Sequence, residues 1–142
     1  MTTAYPDDYL SRIYDPSPDA LTNLGPLAAL AGVWEGGKGV DVHPQADGPE
    51  REPYVERWTF EILDPQTNGP QLYYGLRYHQ HVTRPDDVET FHDQVGHLMW
   101  EPATGSLVMS LSIPRGQVAL AGGSAEPSAT RFALSAREGD PN

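Results

Sequence analysis

The chain contains no cysteine. That excludes disulfides, thiolate nucleophiles and cysteine-based metal sites, and it fits a reducing compartment. Basic residues are scarce. Nine Lys and Arg stand against 20 Asp and Glu, for a net charge of -11. Such a surface repels phosphate backbones and anionic bilayers, so no nucleic-acid or membrane partner is expected; keeping the protein soluble is the ordinary role of this acidity. No apolar run approaches the roughly 18 residues of a membrane span. Met1 to Asp8 lacks the basic and apolar regions of a secretory signal, and a cytoplasmic location is the default expectation. Catalytic signatures are missing as well: there is no Gly-x-Ser-x-Gly elbow, no phosphate-binding glycine loop and no His-Glu-x-x-His. Gly36-Gly37-Lys38-Gly39 lacks the glycine spacing and the following Ser or Thr of a phosphate cradle.

What the chain has in quantity is turns. Its 142 residues, one domain by length, include 14 Gly and 14 Pro, with 38% apolar residues. Between the turns the apolar residues alternate. Tyr54, Glu56, Trp58, Phe60 and Ile62 share one face of a period-2 segment, and Leu72, Tyr74, Leu76 and Tyr78 share one face of the next. Further strands are predicted over 91–101, 106–113, 117–121 and 129–137. The last of these carries Thr130, Phe132, Leu134 and Ala136 inward. Residues 43–53 and 64–70 read as loops by composition. Short turns between sequential strands predict an antiparallel meander. Residues 1–25, with three prolines and no clear period, read as an arm laid over the domain; the domain proper is 26–142.

Leu27 to Ala31 follows Pro26, a good first helical residue, and runs into Gly32-Val33-Trp34-Glu35-Gly36. A short helical cap, a glycine to turn the chain and a tryptophan plate carrying one N–H for a nearby carbonyl are how many ligand-holding barrels begin. Gly32, Trp34 and Gly36 are therefore the candidate barrel-closing motif. A barrel of this size has room for one small ligand.

This motif, together with Phe91 to Leu98, Gly105 to Val108 and Arg115 to Val118, resembles the nitrobindin family, heme-binding β-barrels related to the fatty-acid-binding and lipocalin barrels. The match covers roughly residues 25–138. The family pattern Gly-x-Trp-x-Gly-x-Gly has its last glycine at Lys38 here, between Gly37 and Gly39, an offset of one residue. The resemblance implies an all-β, antiparallel up-and-down barrel. It also implies heme b as cofactor, with reversible nitric oxide binding and isomerisation of peroxynitrite to nitrate. Whether this chain is an enzyme stays open. In that family the iron-binding histidine lies near the C-terminus, whereas no histidine follows His97 here. Either the last strands of the barrel are missing relative to the family, or heme is not bound in that way. The gap could be filled by the arm or by a second copy in a homodimer.

Five histidines are present: His43, His79, His81, His92 and His97. His79 and His81 share a strand face with Arg77 and read as an outward polar row rather than a metal site. His92 and His97, five apart, point to opposite faces; His92 falls where the resemblance places a cavity histidine and is the candidate iron ligand. Inward alternation makes Trp58, Phe60, Phe91, Met109, Leu111, Ile113, Phe132 and Leu134 the candidate cavity wall, although a filled core has the same pattern. For Glu56, on an apolar face, pairing with Arg131 or Arg77 or exposure at the strand end is expected. A small apolar or heme-like ligand is the expected partner. A non-heme carrier of an apolar or amphipathic molecule, or a filled-barrel interaction module, is the alternative.

Overall fold

The computed structural model describes residues 10–14 and 16–140. Nine strands form one antiparallel sheet: β1 Ser11–Tyr14, β2 Gly32–His43, β3 Glu50–Ile62, β4 Gln66–Asn68, β5 Gln71–Thr83, β6 Thr90–Glu101, β7 Ser106–Ile113, β8 Gln117–Ser124 and β9 Leu134–Ser135. The order is β1-β2-β3-β5-β6-β7-β8-β9, with β4 paired only to the start of β5. The meander expectation holds. The closed barrel does not: among the described residues no ladder joins β9 to β1. No helix among the described residues is long and apolar enough to cross a membrane.

Register sets the inner face. Facing residues on neighbouring strands share a side, so the ladders trace rows across the sheet. The lowest is Tyr74, Trp100, Leu107 and Gly123; above it run Ile62, Leu76, Leu98 and Met109. Next come Gly32, Phe60, Tyr78 and Gly96, then Trp34, Trp58, Gln80 and Gln94, then Gly36, Glu56, Val82 and His92. Arg57, Arg77, His79, His81 and His97 occupy the alternate, outer positions, where they are exposed or half-buried.

The two lowest rows form the core. Leu76, Leu98, Trp100 and Leu107 bury against Leu24, Leu27 and Ala31, with Met109, Phe132 and Leu134 packed around them. Each fully buried Leu is worth about 1.5–3 kcal/mol of transfer free energy. The expected helical cap is not shown. Two single 3-10 turns, Pro18–Leu21 and Gly25–Leu27, stand before β2 instead. Gly25 sits at φ +52°, which a continuing helix does not permit, and the Trp100 ring occupies the place of its missing Cβ, which would lie 2.4 Å from the nearest ring carbon.

The glycine–tryptophan motif does what its residue types suggest. Gly32 has φ +118°. Trp34 is buried and donates its indole N–H to the Leu30 carbonyl at 2.7 Å. The Arg12 guanidinium lies 4.4 Å from the centre of the Trp34 ring and donates to the Ala29 carbonyl. Thus β1, inside the expected arm, pairs with β2 and covers the motif. The one-residue offset in the glycine pattern is a β-bulge: Gly36 faces Glu56, but Gly39 faces Tyr54, so β2 carries one extra residue. Tyr54 fills the space beside Gly39, where a Cβ would stand 2.1 Å from the ring.

Three segments depart from expectation. The loop at 43–53 contracts to 44–49, because His43 and Glu50 already pair. Within 64–70, Gln66–Asn68 pairs back on Gln71–Tyr73 through a turn with Gly69 at φ +59°. The last strand shortens from 129–137 to Leu134–Ser135. The Ala129 N–H bonds back to the Glu126 carbonyl, curling the chain away from β8. Phe132 and Leu134 still turn into the core.

Candidate ligand-binding face

Above the core rows, the inner face changes character. Trp58 and Phe60 are only half-buried, as are Met109, Leu111, Ile113 and Phe132. These apolar side chains keep part of their surface exposed, unlike Leu76, Leu98 and Leu107. The Trp58 and Phe60 rings are parallel, with centroids 5.4 Å apart and 4° between planes. Tyr78 leans on both, at 5.9 and 6.2 Å.

Polar groups punctuate this wall. Glu56 is 7% exposed. Its Oε2 accepts from the Trp58 indole N–H at 2.8 Å and from Gln80 Nε2 at 2.9 Å. Neither expected arginine reaches it: Arg77 points outward and pairs with Glu61, and Glu56 instead lies on the inner face away from the strand end. The Tyr78 hydroxyl donates to the Ser110 carbonyl at 2.9 Å and accepts from Gln94 Nε2 at 2.9 Å. It crosses to β7 over Gly96, where a Cβ would stand 1.9 Å from the Ser110 oxygen. Burial pushes the Tyr78 phenol above its ordinary pKa, against the smaller opposing effect of the Gln94 hydrogen bond.

The wall rises to a mouth: a hollow of about 540 Å³ lined by Asp41, His43, Tyr54, Gln80, Val82, Arg84, Phe91, His92 and Arg115. Gln80 belongs to both the mouth and the Glu56 network. The His43 ring bridges Asp41 Oδ2 at 2.9 Å and Glu50 Oε2 at 3.3 Å. The Asp41 hydrogen bond raises the His43 pKa above 6.5, with the charges of Asp41, Glu50 and Glu52 acting in the same direction. Arg84 binds Glu52 at 3.0 Å, which raises its pKa further, and lies 5.6 Å over the Phe91 ring.

The candidate residues are distributed along this wall. His92 faces Val82 on the inner side, at the mouth, and no hydrogen bond to its ring is formed among the described residues. Phe91 is the extra residue of a bulge in β6 and stacks on Tyr54 at 6.5 Å; it is 37% exposed at the rim, not inside the wall. Ile113 joins Phe91, His92 and Arg115 around a smaller hollow of about 190 Å³. Trp58 stands mid-wall. Met109 and Phe132 pack against the core. Leu111 also borders a hollow of about 680 Å³ with Val95, His97, Ser112 and Val118, residues of the outer face. His79 and His81 form an outer pair, 5.9 Å between ring centroids, bonded to Asp93 at 2.9 Å and Thr90 at 3.1 Å. No cluster of three metal-ligating side chains occurs among the described residues.

Two features were missed by reading the sequence. The His43 bridge lies in a segment whose Pro, Gly and Asp content signals loop. The Tyr78–Gln94–Ser110 chain depends on cross-strand register. The available signal was Gly96 opposite a tyrosine, since a bare position beside a large ring invites that ring to lie over it.

Heme asks for an imidazole on an apolar wall and for room beside it. His92 offers an imidazole donor at the mouth, with Val82 and Phe91 as apolar neighbours and Asp41, His43, Arg84 and Arg115 as polar or charged ones. Arg115, at the same mouth, supplies a cation for carboxylates. No curated protein and no solved structure matches the chain. A family model, the THAP4-like, heme-binding beta-barrel domain, matches residues 23–139, which is most of the chain and the whole of the sheet from β2 to β9. The chain belongs to the THAP4-like family of heme-binding beta-barrel domains.

Proposed function

We propose that this protein is a small-ligand-binding barrel whose ligand lies against the inner face, and that the ligand is heme b with His92 as the axial imidazole. The observation that carries this reading is the half-buried aromatic surface of Trp58 and Phe60 on the inner face that also holds His92. His92 would hold the iron, while Trp58 and Phe60 would flank the apolar body of the ligand. Arg115 would meet a carboxylate at the mouth. Tyr78 and Gln94 hold the wall in shape, and the floor of Leu76, Leu98, Trp100 and Leu107 keeps water from below. By family resemblance, bound ferric heme would supply reversible nitric oxide binding and peroxynitrite isomerisation. The test is titration of the purified protein with hemin. A saturable Soret band, shifted or lost in His92→Ala and kept in His97→Ala, supports the reading; weak, unsaturable absorbance overturns it.

A second reading, a carrier of an amphipathic non-heme molecule, is favoured by one observation. The inner wall holds the buried carboxylate of Glu56.

A further inference from the structure

Glu56 is the one ionisable carboxylate set deep in an otherwise apolar and amide-lined wall, and its bonding is lopsided. Both donors, the Trp58 indole and the Gln80 amide, go to Oε2. No described residue hydrogen-bonds to Oε1. Glu56 Oε1 is not sealed from accessible space. Oε1 therefore meets accessible space, although Glu56 as a whole is 7% exposed. It must do so beside the Trp58 indole that its sister oxygen binds.

A buried carboxylate normally has a cation for a partner. Here the arginines of the flanking strands are engaged elsewhere: Arg57 with Glu35 at 2.6 Å, Arg77 with Glu61 at 3.4 Å and Arg84 with Glu52 at 3.0 Å. Two neutral donors satisfy one oxygen, and no ion pair to Glu56 is formed among the described residues. Beside it stand the parallel rings of Trp58 and Phe60, both half-buried and so available to a ligand. Aromatic faces next to a carboxylate attract an organic cation, with Trp the strongest of the rings. Gln80 links the spot to the mouth, which gives a ligand a route inward. The net charge of -11 draws cations towards the molecule.

We propose that Glu56 and Trp58 form a subsite for the protonated amine of an amphipathic ligand whose apolar body lies along the inner wall. This rests on the reading of the inner face as a ligand wall, but not on heme. Glu56 shares a cross-strand row with His92, with Val82 between them. At the usual strand spacing their backbones are about 10 Å apart, so one ligand can span both.

The test uses decylamine hydrochloride, decanol and decanoate, each below its micelle concentration, titrated calorimetrically into the whole protein. We expect decylammonium to bind at least about tenfold more tightly than decanol, with decanoate weakest. Glu56→Gln, which keeps an acceptor for Trp58 and Gln80, should abolish the preference for the amine and leave decanol affinity unchanged. Equal affinity for amine and alcohol, or an amine preference that survives Glu56→Gln, overturns the subsite. If none of the three binds, the amine subsite is overturned, while the hemin titration decides the broader reading. The wild-type comparison of amine with alcohol decides the matter even if the variant does not fold.

Discussion

Replacing Trp34 with phenylalanine tests how the start of β2 is held to the turn before it and to β1. The wild-type indole is buried, donates to the Leu30 carbonyl at 2.7 Å and carries the Arg12 guanidinium on its face. Phenylalanine keeps an aromatic plate but removes the donor. A lost hydrogen bond that strands a buried carbonyl costs about 1–3 kcal/mol. Shrinking a buried bicyclic ring to one ring adds a cavity cost, and weaker stacking under Arg12 adds up to about 1 kcal/mol. The total is about 2–4 kcal/mol. With an m-value of about 1–3 kcal/mol/M in urea for a small domain, the midpoint should fall by at least about 0.7 M, with the slope unchanged. Trp58→Phe is the internal control: its ring is half-buried and its acceptor, Glu56 Oε2, keeps the Gln80 donor, so the loss should be smaller. A Trp34→Phe midpoint within about 0.2 M of wild type would refute the idea that this residue holds the start of β2.

Gly96→Ala should lower stability by about 1–3 kcal/mol through overpacking, because the new Cβ would meet the Ser110 carbonyl at 1.9 Å; differential scanning calorimetry should show a melting temperature several degrees lower, by about 3–10 °C. Tyr78→Phe removes the donor to Ser110 and the acceptor of Gln94, for about 1–3 kcal/mol in urea unfolding; in the wild type, spectrophotometric titration should find one tyrosine that ionises later than the rest. The His43 C–H resonances should titrate above pH 6.5, and Asp41→Asn should move the midpoint down, because the Asp41 hydrogen bond is the main cause of the rise. A group whose folded pKa is raised stabilises the fold below the unfolded value and loses that contribution as pH rises through the folded one. The β2–β3 hairpin should therefore show faster amide exchange, after correction for intrinsic rates, above the His43 midpoint than below pH 6.5.

The long strands were legible because alternation is a local property. Tyr54 to Ile62 and Leu72 to Tyr78 declare their faces without knowing their neighbours, and β3 and β5 follow them. Opposite faces for His92 and His97 came from the same rule. What stayed hidden depends on pairing. The extra residue of β2 at Gly36 to Gly39 is seen only against Glu56 and Tyr54 on β3, although the offset in the glycine pattern marked the place. Phe91 alternates inward on paper but falls at the rim because a bulge separates it from the regular ladder. The partners of Glu56 come from its own strand and from the next, Trp58 and Gln80, so charge counting pointed to arginines that face the other way. The short β9 reflects a competition that periodicity does not contain: Phe132 and Leu134 bury in the core while the chain around Ala129 turns back on Glu126.

The three tryptophans offer the most direct test of a lined inner face. Trp100 is buried in the lowest row, Trp34 is buried directly across from Trp58, and Trp58 is half-buried. Each indole N–H gives its own signal in a ¹⁵N-labelled sample. On addition of hemin in substoichiometric steps, paramagnetic broadening should remove the Trp58 signal well before that of Trp100 in the core, and His92→Ala should abolish the selectivity. Equal broadening of all three, or none at stoichiometric hemin, would contradict a heme seated on this face.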